Sequence, residues 1–248
     1  MCGRYVIKTP PEILRQTFDY GEQPNFPPRY NIAPTQPIPV VRIDNGRRSF
    51  ALVRWGFVPS WVHDPRRFSL LINARAEAVL DKPAFRNAMR RRRCLIPADG
   101  FYEWKPEGGR KRPFYAAAKD LVAFAGLWEP WMGPNGEEME TACIITTAAN
   151  RTLRPLHDRM PAVIPREAFD LWLDCARVDA ETAAALLVPA PEDTFAAHEI
   201  STAVNRAAND SAALIAPVAP GANDAAPAKP AARAKAKVKE DDGQASLF

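Results

Sequence analysis

Cysteine, histidine and long apolar runs are all scarce in this chain. Four cysteines (Cys2, Cys94, Cys143, Cys175) and three histidines are spread over 248 residues. No CxxC pair occurs among the cysteines, so neither a zinc site nor a disulfide framework is indicated, and no metal or other cofactor is expected. No stretch approaches the ~18 consecutive apolar residues of a membrane helix. The start lacks the basic segment and apolar run of a secretory signal. The expectation is therefore a cytoplasmic protein with no membrane attachment. GxGxxG, P-loop, HExxH and GxSxG patterns are absent too, which removes support for dinucleotide, nucleoside-triphosphate, zinc-protease and serine-hydrolase readings. There is no internal repeat.

What is present reads as globular. Apolar residues make up 47% and charged residues 25% of a chain with room for a substantial core. The net charge of +4 permits a nucleic-acid partner without requiring one. Strand-like segments dominate: 4–7, 38–43, 50–55, 94–97, 100–104, 114–118, 121–128, 142–148 and 195–201, with Asp44-Asn45-Gly46 as a type I′ hairpin signal. Helices are expected from Pro10-Pro11-Glu12, with Ile13, Leu14 and Phe18 on the apolar side, and at 83–89, 165–174 and 179–187. Many strands with few, non-alternating helices predict an α+β fold in one domain over 1–217.

Beyond residue 217 alanine, proline and lysine take over, and such a composition cannot bury enough apolar surface to order itself. A disordered linker is predicted over 218–243. It is followed by the apolar Gln244-Ala245-Ser246-Leu247-Phe248, which has the form of a tethered peptide ligand.

The first residues carry the most chemistry. Cys2 is small, so removal of Met1 is expected. That leaves a thiol (ordinarily near ~8.5) and an α-amine (near ~7.7–8.0) on adjacent carbons, both partly nucleophilic at neutral pH. Such a 1,2-aminothiol closes on an aldehyde through a Schiff base to a five-membered thiazolidine. Position alone equally allows Cys2 to be a small buried hydrophobe.

Other groups are ambiguous in the same way. The run Arg90 to Arg93 is a phosphate-binding patch or a solvated helix end that complements the dipole. Trp55, Phe57 and Trp61 form either a base-stacking platform, worth about 1–3 kcal/mol per base, or an aromatic core corner. His157, in a polar turn with Asp158 and Arg159, suits proton transfer. Glu103, between Tyr102 and Trp104, either points to solvent or is buried as a general acid; alternation does not choose.

Six ordered blocks together resemble the SOS response-associated peptidase (SRAP) family. They are Met1-Cys2-Gly3-Arg4-Tyr5, Tyr30 to Pro34, Arg54 to Trp61, Ile72 to Glu77, Gly100 to Trp104 and His157 to Pro161, with Val204-Asn205 and Asn209-Asp210 closing the match over roughly 2–217. The resemblance implies one α+β domain on a barrel-like, mostly antiparallel sheet. It also implies covalent capture of abasic sites in single-stranded DNA, and it carries roles for particular residues. Cys2 is the crosslinking nucleophile, Asn73 holds the α-amine and the sugar, Glu103 is the general acid/base, and His157 assists sugar opening and reversal. Arg4, Arg75 and Arg159 grip phosphates, Asn31 lines the site, and Trp61 packs on the DNA. Some members carry a second aromatic immediately after the Trp61 position; here it is Val62. The family name also records a peptidase activity that includes removal of Met1.

The tail resembles the pentapeptide by which bacterial repair proteins bind the β sliding clamp, with Gln244, Leu247 and Phe248 as the contacting residues. A monomer is expected. Two other classes stay open: a cysteine peptidase or N-terminal-nucleophile hydrolase using Cys2 with Glu103 or His157 as base, and a non-covalent single-strand binding module in which Cys2 is structural.

Overall fold

The computed structural model describes residues 2–219 together with Gly221 and Asn223. In chain order the elements are β1 (Tyr5–Ile7), α1 (Pro11–Phe18), β2 (Arg29–Ile32), β3 (Pro37–Asp44), β4 (Arg47–Trp55), β5 (Asn73–Arg75), α2 (Arg86–Arg91), β6 (Arg93–Glu107), β7 (Arg110–Met132), β8 (Glu138–Ala148), β9 (Arg159–Pro161), β10 (Val163–Ile164), α3 (Phe169–Leu173), α4 (Ala180–Ala184) and β11 (Phe195–Glu199). Short 3₁₀ turns fill several connections. The α+β class expected from the sequence is the class observed.

Turn chemistry sets the two main hairpins. Asn45 and Gly46, at φ 49° and 76°, form the left-handed pair that a type I′ turn needs between β3 and β4. Gly108 and Gly109, at φ 55° and 77°, do the same between the long strands β6 and β7. Segments 114–118 and 121–128, expected as two strands, are one: β7 runs through both. The polar Lys119-Asp120 that reads as a break is an irregularity in a continuous strand, where the register steps from Ala98↔Val122 to Gly100↔Ala117. Pairing with β6 and β11 overrides the local propensity there.

The 11 strands form one sheet, and β7 pairs with both β8 and β6, so the circuit β6–β7–β8–β4–β3 returns to β6. Its closure is thin. One residue pair, Val41↔Leu95, joins β3 to β6, and two join β4 to β8 in parallel. The expected barrel is thus a strongly folded-over sheet without a regular barrel's continuous ladder.

The helices are shorter than the sequence implies. Pro11 starts α1 and Leu14 and Phe18 bury its seam, but Ile13, expected on the apolar side, is 46% exposed, one residue off the i,i+4 stripe. The core runs through Tyr5, Trp55, Phe124 and Trp172, with Tyr5 edge-on to Trp55 at 5.5 Å.

The arginine run divides. Arg90 and Arg91 are exposed, as a solvated face would be. Arg92 forks onto Glu129 at 2.8 and 2.9 Å. Arg93 is 1% exposed and donates to the carbonyls of Trp172, Met89, Asp174 and Val178. No helix among the described residues is long and apolar enough to cross a membrane. Past the expected domain end at 217, Val218 N–H donates to Glu199 O and Asn223 to Glu199 and Ile200. Residues 224–243 of the predicted linker, and the 244–248 peptide with Gln244, Leu247 and Phe248, lie outside the described residues.

Candidate active site

β1 lies antiparallel to β6, Tyr5 opposite Phe101, and the Tyr102 N–H donates to Arg4 O at 3.0 Å. This register lays the amino-terminal segment along the stretch of β6 that ends in Glu103 and Trp104. β5 approaches from β8: Asn73 pairs with Ile144, and its Nδ2 donates to the Cys2 carbonyl at 2.9 Å. The short β9, also on β8, brings in the turn that carries His157. Arg4, Glu103, Trp104, Lys111, His157 and Asn205 line a cavity of about 400 Å³ at this junction.

Cys2 is fully buried, its Sγ 3.8 Å from Arg4 O. Burial first, then the Glu103 charge, push the thiol well above its ordinary range, so a thiolate forms there only where a neighbouring base takes its proton. Glu103 is 4% exposed, which resolves the ambiguity left by the sequence in favour of a buried carboxyl. Burial raises its pKa, while the positive charge of the amino terminus and of His157 pulls it partly back. A carboxyl held protonated closer to neutrality is suited to give and retrieve a proton.

Asn73 Oδ1 is buried and has no hydrogen-bond partner among the described residues, so an acceptor is left beside the Cys2 backbone. His157 Nδ1 lies 2.9 Å from the Arg159 N–H and 2.8 Å from Asp158 Oδ1. Accepting from the amide leaves the proton on Nε2; the doubly protonated ring pairs with Asp158 instead.

The other expected residues are less uniform. Arg4 sits at the cavity with Nη1 donating to Asn31 Oδ1 (2.8 Å) and Val204 O (3.0 Å), and its guanidinium 6.0 Å from the Trp104 ring. Asn31 is completely buried; its Nδ2 donates to the carbonyls of Val204, Arg206 and Asn209, so it ties the 204–209 segment to Arg4 from beneath the site. Arg75 is exposed on β5. Arg159 is nearly buried and forks onto Glu77 at 2.7 and 2.9 Å, which holds the Glu77 carboxyl below its usual range. Its fork is therefore already occupied by a carboxylate.

Trp61 is 56% exposed, edge-on to Phe68 at 5.6 Å and outside the cavity lining, whereas Trp55 and Phe57 are core residues. Val62 is buried in a small cluster with Val58 and Trp131.

Sequence reasoning missed Lys111 and the placing of Trp104 and Asn205. Trp104 Nε1 donates to Asn205 Oδ1 at 2.8 Å, which anchors one wall. The signal for Lys111 was present: a Gly108-Gly109 turn puts Lys111 opposite Pro106, three positions from Glu103. Among the described residues no three His, Cys, Asp or Glu side chains gather as a metal site would need.

The chain is similar to known proteins over most of its length. The chain is 36% identical over 221 residues to the abasic site processing protein YoaM of Bacillus subtilis, covering 87% of this chain and 97% of that one. It is 29% identical over 257 residues to the abasic site processing protein HMCES of Xenopus tropicalis, covering 85% and 76%. A crystal structure of a protein from Bacteroides thetaiotaomicron matches with a TM-score of 0.77 at 25% identity, over 88% of this chain and 100% of that one. A phage-related protein from Bordetella bronchiseptica matches at 0.65 and 30% identity, over 80% and 94%. The family model described as SOS response associated peptidase (SRAP) matches residues 1–207, the span that contains every element of the cavity, and the chain belongs to that family.

Proposed function

We propose that this protein captures abasic sites in single-stranded DNA covalently through the α-amine and thiol of Cys2, once Met1 is removed. Its similarity to proteins named for abasic site processing supports the lesion as substrate. The observation that carries the chemistry is the seating of Cys2. Its carbonyl is fixed by Asn73 at 2.9 Å, and its buried thiol lies within the electrostatic reach of Glu103, which lines a cavity with His157.

The ring-opened deoxyribose presents an aldehyde at C1′. The Cys2 amine adds to it to give a carbinolamine, and protonated Glu103 donates to the departing hydroxyl, so that one water leaves and an iminium forms. The Glu103 carboxylate then takes the thiol proton as sulfur bonds to C1′, and nitrogen keeps the electron pair of the former C=N bond. The product is a thiazolidine, and the sum is protein plus sugar less one water. Asn73 Oδ1, buried without a partner among the described residues, accepts from the amine or a sugar hydroxyl, and His157 moves the proton of the ring oxygen during opening and reversal. A ring, in place of an imine, leaves no electron sink at C1′ for β-elimination and so shields the strand.

The test is intact mass after incubating the processed protein with abasic single-stranded DNA. The expected species is protein plus oligonucleotide less one water, absent for Cys2→Ala and for chain that retains Met1. Equal capture by the cysteine-free variant would overturn the proposal. Non-covalent binding alone would leave a binding module, and turnover of a peptide substrate without any adduct would favour a cysteine hydrolase.

A further inference from the structure

Two cationic side chains, Arg4 and Lys111, border the cavity together with His157. Arg4 spends Nη1 on Asn31 and Val204, and His157 is engaged by Asp158 and the Arg159 amide. The flanking basic residues of the β6–β7 hairpin are paired as well: Arg112 with Glu107 and Glu199, and Lys105 with Glu107. Lys111 is exposed and has no ion pair or hydrogen bond among the described residues.

Its position is fixed by a rigid element. Lys111 pairs with Pro106 and Trp104 with Pro113 in a ladder closed by Gly108-Gly109, and alternation puts Lys111 on the same face as Trp104. Trp104 is itself pinned by Asn205. Arg75 and Arg159 belong to the short strands β5 and β9 on β8, whereas Lys111 lies near the turn of the β6–β7 hairpin and supplies positive charge from there.

We propose that Lys111 is a phosphate-binding residue of this site, holding a backbone phosphodiester of the single strand at the hairpin side of the cavity. The inference rests on the nucleic-acid reading above and adds a contact on the hairpin to those expected on the β8 side. An unpaired ammonium on a stiff hairpin suits a phosphodiester, which is a monoanion that needs a point charge and releases a counterion on binding.

The experiment is equilibrium binding, across a series of NaCl concentrations, to a single-stranded oligonucleotide with one tetrahydrofuran abasic analogue. The analogue cannot open to an aldehyde, so only non-covalent affinity is read. Loss of one phosphate contact makes the slope of log K against log[NaCl] shallower by about 0.7 for a single strand. That is the result expected for Lys111→Gln, with the wild-type slope kept in Lys111→Arg and in the control Lys119→Gln, whose lysine faces Asp193 at 4.0 Å outside the cavity. A wild-type slope in Lys111→Gln, or an equal loss in Lys119→Gln, overturns the inference. If the wild type forms no adduct on true abasic DNA while Lys111→Gln loses slope on the analogue, covalent capture fails and Lys111 stands. Adduct formation with an unchanged slope in Lys111→Gln is the reverse.

Discussion

Glu103→Gln separates the chemistry of the buried carboxyl from its shape. The side chain is 4% exposed, and burial holds it above its ordinary value of 4.5 against the opposing pull of the amino-terminal charge and His157. General acid–base catalysis by one positioned group contributes about 10²–10⁴-fold, or about 3–5 kcal/mol of barrier. A slowing of that size is expected in single-turnover adduct formation, followed by denaturing gel.

Stability moves in the other direction. The folded-state pKa lies above the unfolded one, so the folded chain binds the extra proton between the two values. The stability this contributes is fully present below the unfolded value of 4.5 and is lost as pH rises through the folded one, at up to about 1.4 kcal/mol per pH unit. Glutamine carries no such proton. The unfolding free energy of wild type minus variant, from urea titrations, therefore falls with rising pH through that window and then levels off. Parallel curves between about pH 4 and about pH 8 would refute the raised carboxyl. A rate within about threefold of wild type would refute its part in the proton transfers.

Arg93→Met removes a buried guanidinium from four carbonyls, and a buried acceptor left without its donor costs about 1–3 kcal/mol; urea unfolding showing a loss under about 1 kcal/mol would contradict the network. Deleting residues 244–248 is expected to abolish capture of the β sliding clamp in a pull-down while adduct formation on abasic DNA persists, and an undiminished pull-down rejects the tail as a clamp ligand.

The sequence by itself determined whatever depends on neighbouring residues. Asn45-Gly46 dictated a type I′ hairpin because few other pairs tolerate two successive left-handed residues. Pro11 opened α1 because its ring presets the first helical φ. A cysteine in second place pointed to a 1,2-aminothiol once Met1 is removed, and the spacing of six motif blocks was enough to indicate the family.

Tertiary structure decided which side of each element meets water and which charges meet each other. Alternation put Glu103 on a face but not in the interior; the amino-terminal segment, and the turn at His157 more than fifty residues further on, enclose it. Adjacent arginines separated into solvent and core because Arg93 enters β6 beneath α3 while Arg90 is still on the outer side of α2. Asn31, Arg159 and Lys111 are all polar, and nothing local distinguishes them. Asn31 is saturated by backbone carbonyls, Arg159 is clamped by Glu77, and Lys111 keeps its charge free at the cavity. Partners that lie far apart along the chain set the solvation of a charge, and no pattern along the chain encodes them.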